Sequence, residues 1–356
     1  MVVAEKGENM RKILLLLIIT LIPSISIADV SVGSFNIKNW GWNNDKDEAR
    51  VAEILRRFDI IAVQEVMNDK AVENMVAILN KTTEKEWQQM SSHPVGRGGY
   101  KEQYAFIWND NVRYDSGAVV YIDDRDIYAR EPLSAKFVSN KTGFGFALAN
   151  VHITFGDSVS DREEEIRSLS SYWDWLEEVY PDTPRILAGD FNLWSTHDYF
   201  RPLVSKANVA IESGATTLSP TDGKYANLYD NIFYDSSVNV TDSGIFTFPQ
   251  KFGMTHKEAR SLVSDHVPVY ITIGSATVDT SKLDGVIKEV EIIGISCIDI
   301  NTSHKQDLMK LPRVGEARAG DIVDGRPWGS VGELTKIKGI GAKTVDKIRK
   351  HPDLCK

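Results

Sequence analysis

Residues 186–192 read ILAGDFN: three apolar side chains, then Gly189, Asp190, Phe191 and Asn192. An apolar run that stops at a glycine and a carboxylate reads as a buried strand with a polar end, the place where layered sheets build their sites. Taken alone, Asp190 and Asn192 also suit a turn-capping pair. Four further strings carry the same kind of chemistry: SFNI at 34–37, QEV at 64–66, VHIT at 151–154 and SDHVP at 264–268. Each is a weak signal, but the set in this order is specific.

The rest of the chain is ordinary for a folded protein, with 356 residues, 42% hydrophobic and 26% charged. That composition excludes collagen-like, low-complexity and wholly disordered classes. The length admits one large domain plus a small one, or two medium domains. β-rich runs at 60–66, 118–122, 144–153 and 267–273 alternate with helical patterns. The best helix lies at 161–180, where Ile166, Leu169, Trp173, Leu176 and Val179 share one face. Strands mixed with helices and long loops predict a layered α/β or α+β body over residues 29–273. A small, polar link follows at 274–281, and residues 286–296 read as strand-like within a 274–297 linker.

Residues 13–22 form the only long apolar run, after Arg11 and Lys12 and ahead of Ser26 and Ala28. This is the order of a secretory signal peptide over residues 1–28, with an apolar stretch too short to span a bilayer. A retained N-terminal anchor is the alternative. Export places the protein in the periplasm or outside the cell, with no stable membrane insertion after cleavage. In that setting the two cysteines, Cys297 and Cys355, are expected to pair, with two free thiols as the alternative.

The net charge of −9 is uneven. Residues 301–356 carry 12 basic and 7 acidic side chains, net +5, which leaves 29 against 43, net −14, on residues 1–300. An acidic balance argues against a nucleic-acid partner; a basic module on an acidic body reopens the question.

The five strings together resemble the endonuclease/exonuclease/phosphatase superfamily. The intervening HPVGRGGYKEQYAF at 93–106, AREP at 129–132 and YDNI at 229–232 resemble its DNase I branch, so the likeness spans residues 30–273. It implies an α+β chain whose body is a four-layered α/β/β/α sandwich that cleaves phosphodiesters with a divalent metal. It further implies that His266 is the general base, oriented by Asp230, and that His152 is the general acid or transition-state donor, partnered by Glu102. Glu65 is then the principal metal ligand, with Asn36 and Asp265 nearby, while Asp190 and Asn192 take a second metal or the scissile phosphate. Tyr100 and Arg130 match positions that face the minor groove and the phosphate at the cleavage site. Met67 stands where the branch carries an arginine after QEV, a loss for which Lys38 compensates in part, and the branch's disulfide cysteines are absent. His152 argues against abasic-site repair, whose enzymes place a tyrosine there, but not against a phospholipid substrate.

The residue types suit this chemistry. Phosphodiester hydrolysis requires an activated water, stabilisation of extra negative charge and protonation of the leaving oxygen. Two carboxylate-held histidines and oxygen ligands for a hard cation supply all three. Carboxylates, amides and imidazoles without cysteine favour Mg²⁺, with Mn²⁺ or Ca²⁺ as alternatives, over structural zinc. His93, His197, His256, His304 and His351 lack such context and read as surface or loop histidines.

Beyond the linker, residues 298–356 contain IDIN at 298–301, LPRVGEARA at 311–319, SVGEL at 330–334 and IKGIGAKT at 337–344. These resemble the double helix-hairpin-helix module of ComEA-like DNA-binding proteins, which implies a small all-α domain. Ser303 with Gln306, and Ser330 with Glu333, read as capping-box pairs. Gly339 and Gly341 allow close approach to a phosphate, and Lys338, Lys343 and Lys347 add charge without reading bases. Arg313 occupies the first glycine position of the first hairpin. A protein-binding module with a basic face is the alternative.

The expectation is a secreted, monomeric, metal-dependent and largely sequence-non-specific DNA endonuclease tethered to DNA by its tail. The alternatives are a secreted phosphodiesterase acting on RNA or a sphingomyelin-type phospholipid, and a non-enzymatic DNA-binding or uptake protein.

Overall fold

The computed structural model describes residues 29–42, 46–283, 298–301, 303, 305–352 and 354–355. Its strands are β1 (Asp29–Trp40), β2 (Ile60–Val66), β3 (Trp87–Ser91), β4 (Gln103–Asn109), β5 (Val112–Val120), β6 (Leu133–Ser139), β7 (Gly145–His152), β8 (Arg185–Asp190), β9 (Asn208–Val209), β10 (Asp230–Tyr234), β11 (Val240–Ile245) and β12 (Val269–Gly274). They form two six-stranded sheets, in the orders β11-β12-β1-β2-β4-β3 and β5-β6-β7-β8-β10-β9.

Successive side chains of a strand point to opposite faces, and both faces of these sheets are covered, so the strands read as nearly continuous apolar runs. Val30, Val32, Ile60 and Ala62 of the first sheet meet Phe146, Leu148, Ile186, Ala188 and Ile232 of the second in the core between them. The opposite rows face outward. Phe35, Ile37, Ile61 and Val63 pack beneath helices α1 (Glu48–Leu55) and α2 (Asp69–Thr82), which contribute Val51, Ile54, Val72 and Met75. Ala147, Ala149, Val151 and Leu187 pack beneath α3 (Glu163–Val179) through Ile166, Leu169, Trp173 and Leu176. The expected four-layered α/β/β/α order is therefore present.

The alternation also locates the site. The inward row of β1 runs Val30, Val32, Ser34, Asn36; that of β2 runs Ile60, Ala62, Gln64; that of β7 runs Phe146, Leu148, Asn150, His152; and that of β8 runs Ile186, Ala188, Asp190. Each row turns from apolar to polar at one end of the sandwich.

Some expectations need correction. The run at 118–122 is only the end of β5, which begins at Val112; its solvent-facing Arg113 and Asp115 interrupt the apolar signal. The link at 274–281 is tied to the body, with Arg57 paired to Asp279 at 3.3 Å and Leu283 N–H donating to Lys251 O at 3.0 Å. The signal peptide, the strand-like 286–296 and Cys297 lie outside the described residues. Cys355 is disulfide-bonded. Among the described residues no helix is long and apolar enough to cross a membrane.

The tail is all-helical, with α-helices at Lys305–Leu308, Glu316–Asp324 and Ala342–Arg349 and a 3₁₀ helix at Val331–Lys336. They enclose Leu308, Leu311, Ile322, Leu334, Ile340, Val345 and Ile348. The expected Ser330–Glu333 capping box does not form. Ser330 precedes the 3₁₀ helix without a side-chain cap, and Glu333 turns to Lys336 at 2.7 Å. Ser303 Oγ accepts the Asp299 N–H at 2.8 Å, and the Gln306 side chain lies outside the described residues. The two hairpins nevertheless match: Gly315 and Gly341 open the helices at φ/ψ of −93/179° and −95/172°, after Arg313 and Gly339 in the left-handed region at φ 61° and 89°. Arg313 tolerates a conformation that favours glycine, with its carbonyl held by Arg318 Nη1 at 2.8 Å. Gly339 takes that conformation without strain, and an added Cβ there would displace the end of the flexible Arg318 side chain, 2.6 Å away.

Candidate active site

Register brings the five strings together. β7 and β8 pair in parallel with His152 beside Asp190, and β10 pairs antiparallel to β8 with Asp230 on the other side of Asp190. The close β7–β8 approach depends on Gly189, where a Cβ would meet Val151 O at 2.0 Å. His266 joins through an isolated bridge to Thr217 just before β12.

Both histidines are held in the same way. His152 Nδ1 lies 2.7 Å from Glu102 Oε1, and His266 Nδ1 lies 2.8 Å from Asp230 Oδ2; both carboxylates are fully buried. The outer nitrogens then face one atom: His152 Nε2 is 3.6 Å and His266 Nε2 is 3.7 Å from Asp190 Oδ2. Two imidazoles thus flank a buried carboxylate.

The first sheet adds Glu65 and Asn36. Asn36 Nδ2 donates to Glu65 Oε1 at 2.9 Å and to Asp190 Oδ2 at 3.0 Å, so the two carboxylates converge on one amide. Glu65 reaches this point because the β2–β4 register shifts between Val63 and Val66 and Glu65 adopts φ 57°. A bulge of this kind re-aims a side chain. Lys38, Asn39 and Asn192 are also left-handed, and such strain clusters at functional sites. A buried amide pair ties the sheets behind the site: Gln64 Nε2 donates to Asn150 Oδ1 at 2.7 Å, and Asn150 Nδ2 to Val63 O at 3.0 Å.

The other expected residues lie nearby. Asn36 presents its nitrogen to the carboxylates while its Oδ1 accepts the Lys38 N–H at 2.9 Å. Asp265 faces Lys38 Nζ at 2.6 Å and Arg260 Nη2 at 3.4 Å, which places Lys38 in an ion pair. Asn192 donates Nδ2 to Ile153 O at 2.8 Å and its backbone N–H to Asp190 Oδ1 at 2.9 Å. Arg130 donates Nε to His152 O at 3.0 Å and Nη2 to Ile153 O at 3.1 Å. Tyr100 is 41% exposed and donates to Asn39 Oδ1 at 2.9 Å. His256, read as a surface residue, is buried, with Nδ1 3.3 Å from Ser219 O.

The charges interact strongly. Burial disfavours the His266 cation, but Asp230 and Asp190 outweigh it and push the imidazole up to about 10. Burial and Arg130 oppose the His152 cation, and Glu102 and Asp190 raise its pKa in spite of them. Burial raises the Asp230 carboxyl, aided by Asp190 and opposed by His266. For Glu102, burial is overcome by His152 and Arg130, and its pKa falls. Behind Asp265 and Glu65, burial lowers Lys46 to about 8.

A hard divalent cation fits this donor set. Asp190, Asp230 and His266 place ligand atoms within 4.8 Å of one another, and buried Asp230 Oδ1 has no hydrogen-bond partner. Glu65 and Asp190 supply converging anionic oxygens, the ligand class such ions select.

Sequence reasoning missed Gln64, Asn150 and Glu165. The signal for the first two was a polar side chain at an inward position of an otherwise apolar row. Glu165 accepts the N–H groups of Ala129 and Thr154, at 3.2 and 3.1 Å, and so holds the loops of Arg130 and His152. Nothing local in the sequence marks it.

Residues 33–266 match the Endonuclease/Exonuclease/phosphatase family, and residues 295–351 match a helix-hairpin-helix motif. The chain belongs to the Endonuclease/Exonuclease/phosphatase family. It is 43% identical over 351 residues to a protein named Deoxyribonuclease from Thioalkalivibrio sp. (strain K90mix), covering 96% of each chain. It is 28% identical over 272 residues to Deoxyribonuclease-1 from Bos taurus, covering 68% of this chain and 92% of that one. Among solved structures, a family member from Bacteroides thetaiotaomicron shares the fold at a TM-score of 0.53 and 20% identity, covering 69% of this chain and 98% of that one.

Proposed function

We propose that this protein is an exported, monomeric, Mg²⁺-dependent deoxyribonuclease that hydrolyses DNA phosphodiesters largely without sequence preference. The observation that carries the reading is the pair of carboxylate-held imidazoles, whose Nε2 atoms converge on Asp190 at 3.6 and 3.7 Å. Likeness to two deoxyribonucleases and the helix-hairpin-helix match support DNA as the substrate. The apolar run at 13–22 supports export.

In this mechanism Asp230 fixes the His266 tautomer, leaving Nε2 to take a proton from the attacking water. His152, held by Glu102, donates from Nε2 to the phosphoryl oxygens or the leaving oxygen. Glu65, Asp190 and Asp230 would hold the cation, with Asn36 bracing the first two. When bound, the cation neutralises phosphate charge and lowers the pKa of nearby groups. A cation held by these carboxylates would oppose the pull of Asp190 and Asp230 that raises His266, and so favour the base form of the imidazole. Incubating the purified full-length protein with supercoiled plasmid, RNA and sphingomyelin in Mg²⁺ tests the assignment. Plasmid nicking that leaves 5′-phosphate ends and stops with chelator is expected; lipid or RNA cleavage with intact plasmid overturns it.

The tail is assigned a tethering role, which raises the local DNA concentration without new catalytic contacts. Lys338 and Lys343 flank the Gly339–Gly341 turn. Replacing both with alanine should reduce the slope of log affinity against log salt by about 2, since each phosphate contact contributes about 0.9. Fluorescence anisotropy on a duplex in chelator, from low to moderate salt, measures this; an unchanged slope assigns the tail to another partner.

A further inference from the structure

Beside the catalytic pair lies an aromatic group that the mechanism leaves unused. Phe155 follows the VHIT strand and is 55% exposed, which is unusual for a large apolar ring on an otherwise well-packed body. The two residues before it are fixed to the site from several sides. Ile153 N–H donates to Asp190 O at 2.9 Å, Ile153 O accepts from Asn192 and Arg130, and Thr154 N–H donates to Glu165.

The ring is braced from one side by Arg162. That arginine is 4% exposed, donates Nε to Phe155 O at 2.7 Å and holds its guanidinium carbon 4.4 Å from the Phe155 centroid. Tyr229, the neighbour of Asp230, meets the Phe155 ring edge-on at 6.3 Å and lies 5.9 Å from the same guanidinium. Among the described residues Arg162 has no carboxylate oxygen within 4.0 Å; its neighbour Asp161 instead accepts the N–H groups of Asp157 and Ser158, at 2.8 and 2.9 Å. A buried guanidinium stacked beneath an exposed ring fixes that ring by a cation–π contact and leaves its outer face as a pre-positioned stacking platform.

We propose that Phe155, braced from beneath by Arg162 and edge-on by Tyr229, forms a nucleotide subsite that takes an unpaired nucleotide next to the scissile phosphate, its base stacked on the exposed face of Phe155. Bases of a continuous duplex are already stacked and cannot lie on this ring; a single strand or a frayed end can. Stacking of this kind tolerates any base, consistent with a nuclease that reads little sequence. The subsite gives the enzyme a grip on single-stranded DNA that is separate from the duplex-directed tail. The inference rests on the DNA-hydrolase reading above.

The test compares full-length wild type, Phe155→Ala and Phe155→Trp on a single-stranded oligonucleotide and on a blunt duplex of the same sequence, in Mg²⁺. Phe155→Ala should raise KM for the single strand about tenfold, the size of about 1.4 kcal/mol of stacking. It should leave kcat within about twofold and the duplex KM unchanged, and Phe155→Trp should restore the single-strand KM. A second readout needs no variant: 2-aminopurine in the single strand should lose fluorescence on binding wild type in chelator. Equal KM changes on both substrates, no change on either, an unquenched probe, or a wild type that cleaves duplex but not single strands each overturn the subsite. A wild type that cleaves neither DNA overturns the function reading instead.

Discussion

Replacing His266 with alanine is expected to lower kcat for plasmid nicking by about 10²–10⁴-fold, the range over which a positioned general base contributes. The variant loses the nitrogen that the proposed mechanism assigns to take a proton from water. It also leaves buried Asp230 without the Nδ1 partner now 2.8 Å away. DNA affinity measured in chelator should hardly change, because the tail is untouched. The same substitution has a signature on stability. The His266 pKa is raised by folding, so its contribution is fully present below the ordinary histidine value of about 6.5. It is lost as pH rises through about 10. Metal-free wild type should therefore lose Tm across that window more steeply than His266→Ala, which lacks the group. Parallel Tm curves for the two proteins would show that His266 is not held as a cation by Asp230 and Asp190.

Replacing Asp190 with alanine should be at least as damaging, about 10⁴-fold in kcat, because groups that act as a unit fail together. Asp190 Oδ2 is the atom that both Nε2 nitrogens and Asn36 Nδ2 face, and it is a candidate cation ligand. Two observations separate this role from simple misfolding. Wild-type Tm should rise on adding Mg²⁺, by the equivalent of about 2.7 kcal/mol at a hundredfold excess over Kd, and Asp190→Ala should lose that rise. In metal-free protein the His266 pKa should fall in Asp190→Ala, because Asp190 is one of the two carboxylates that raise it; an NMR titration of the imidazole reads the shift directly. A variant that keeps its cation-induced Tm rise would place the metal elsewhere.

Much of this architecture was legible in the sequence. The strands at 60–66 and 145–152 and the face of α3 follow from apolar runs and helical spacing, because burial on both sides of a sheet leaves a strong local trace. The chemistry-bearing residues were legible for a related reason: they lie where apolar runs stop. Chain order alone, however, does not show which groups face each other. That Asp265 pairs with Lys38, that Asn36 turns its nitrogen to the carboxylates and that Arg130 holds the His152 backbone are consequences of register between distant strands. Glu65 reaches the site only through a bulge at φ 57°, to which no residue preference points. His256 shows the opposite failure, since a histidine with polar neighbours in sequence is buried once its short helix packs. Arg162 was equally hidden, because a charged residue in an acidic, polar stretch gives no sign that it will be buried under a ring.

The acidic body and basic tail now have separate explanations. Part of the negative excess lies in Glu65, Asp190 and Asp230, which gather at one end of the sandwich as anionic oxygens of the class a hard cation selects, Asp230 also holding His266. Net charge therefore says little about substrate until the functional carboxylates are distinguished from the solvated ones.

In the proposed mechanism His152 and His266 act as one unit on one phosphodiester. The direct test is kcat for plasmid nicking in Mg²⁺ by His152→Ala, His266→Ala and the double variant, each checked for cation-induced Tm rise. A double variant about as slow as the worse single one is expected, because one broken half leaves nothing for the other to assist. Single variants within about fivefold of wild type, or losses that multiply in the double variant, would contradict it.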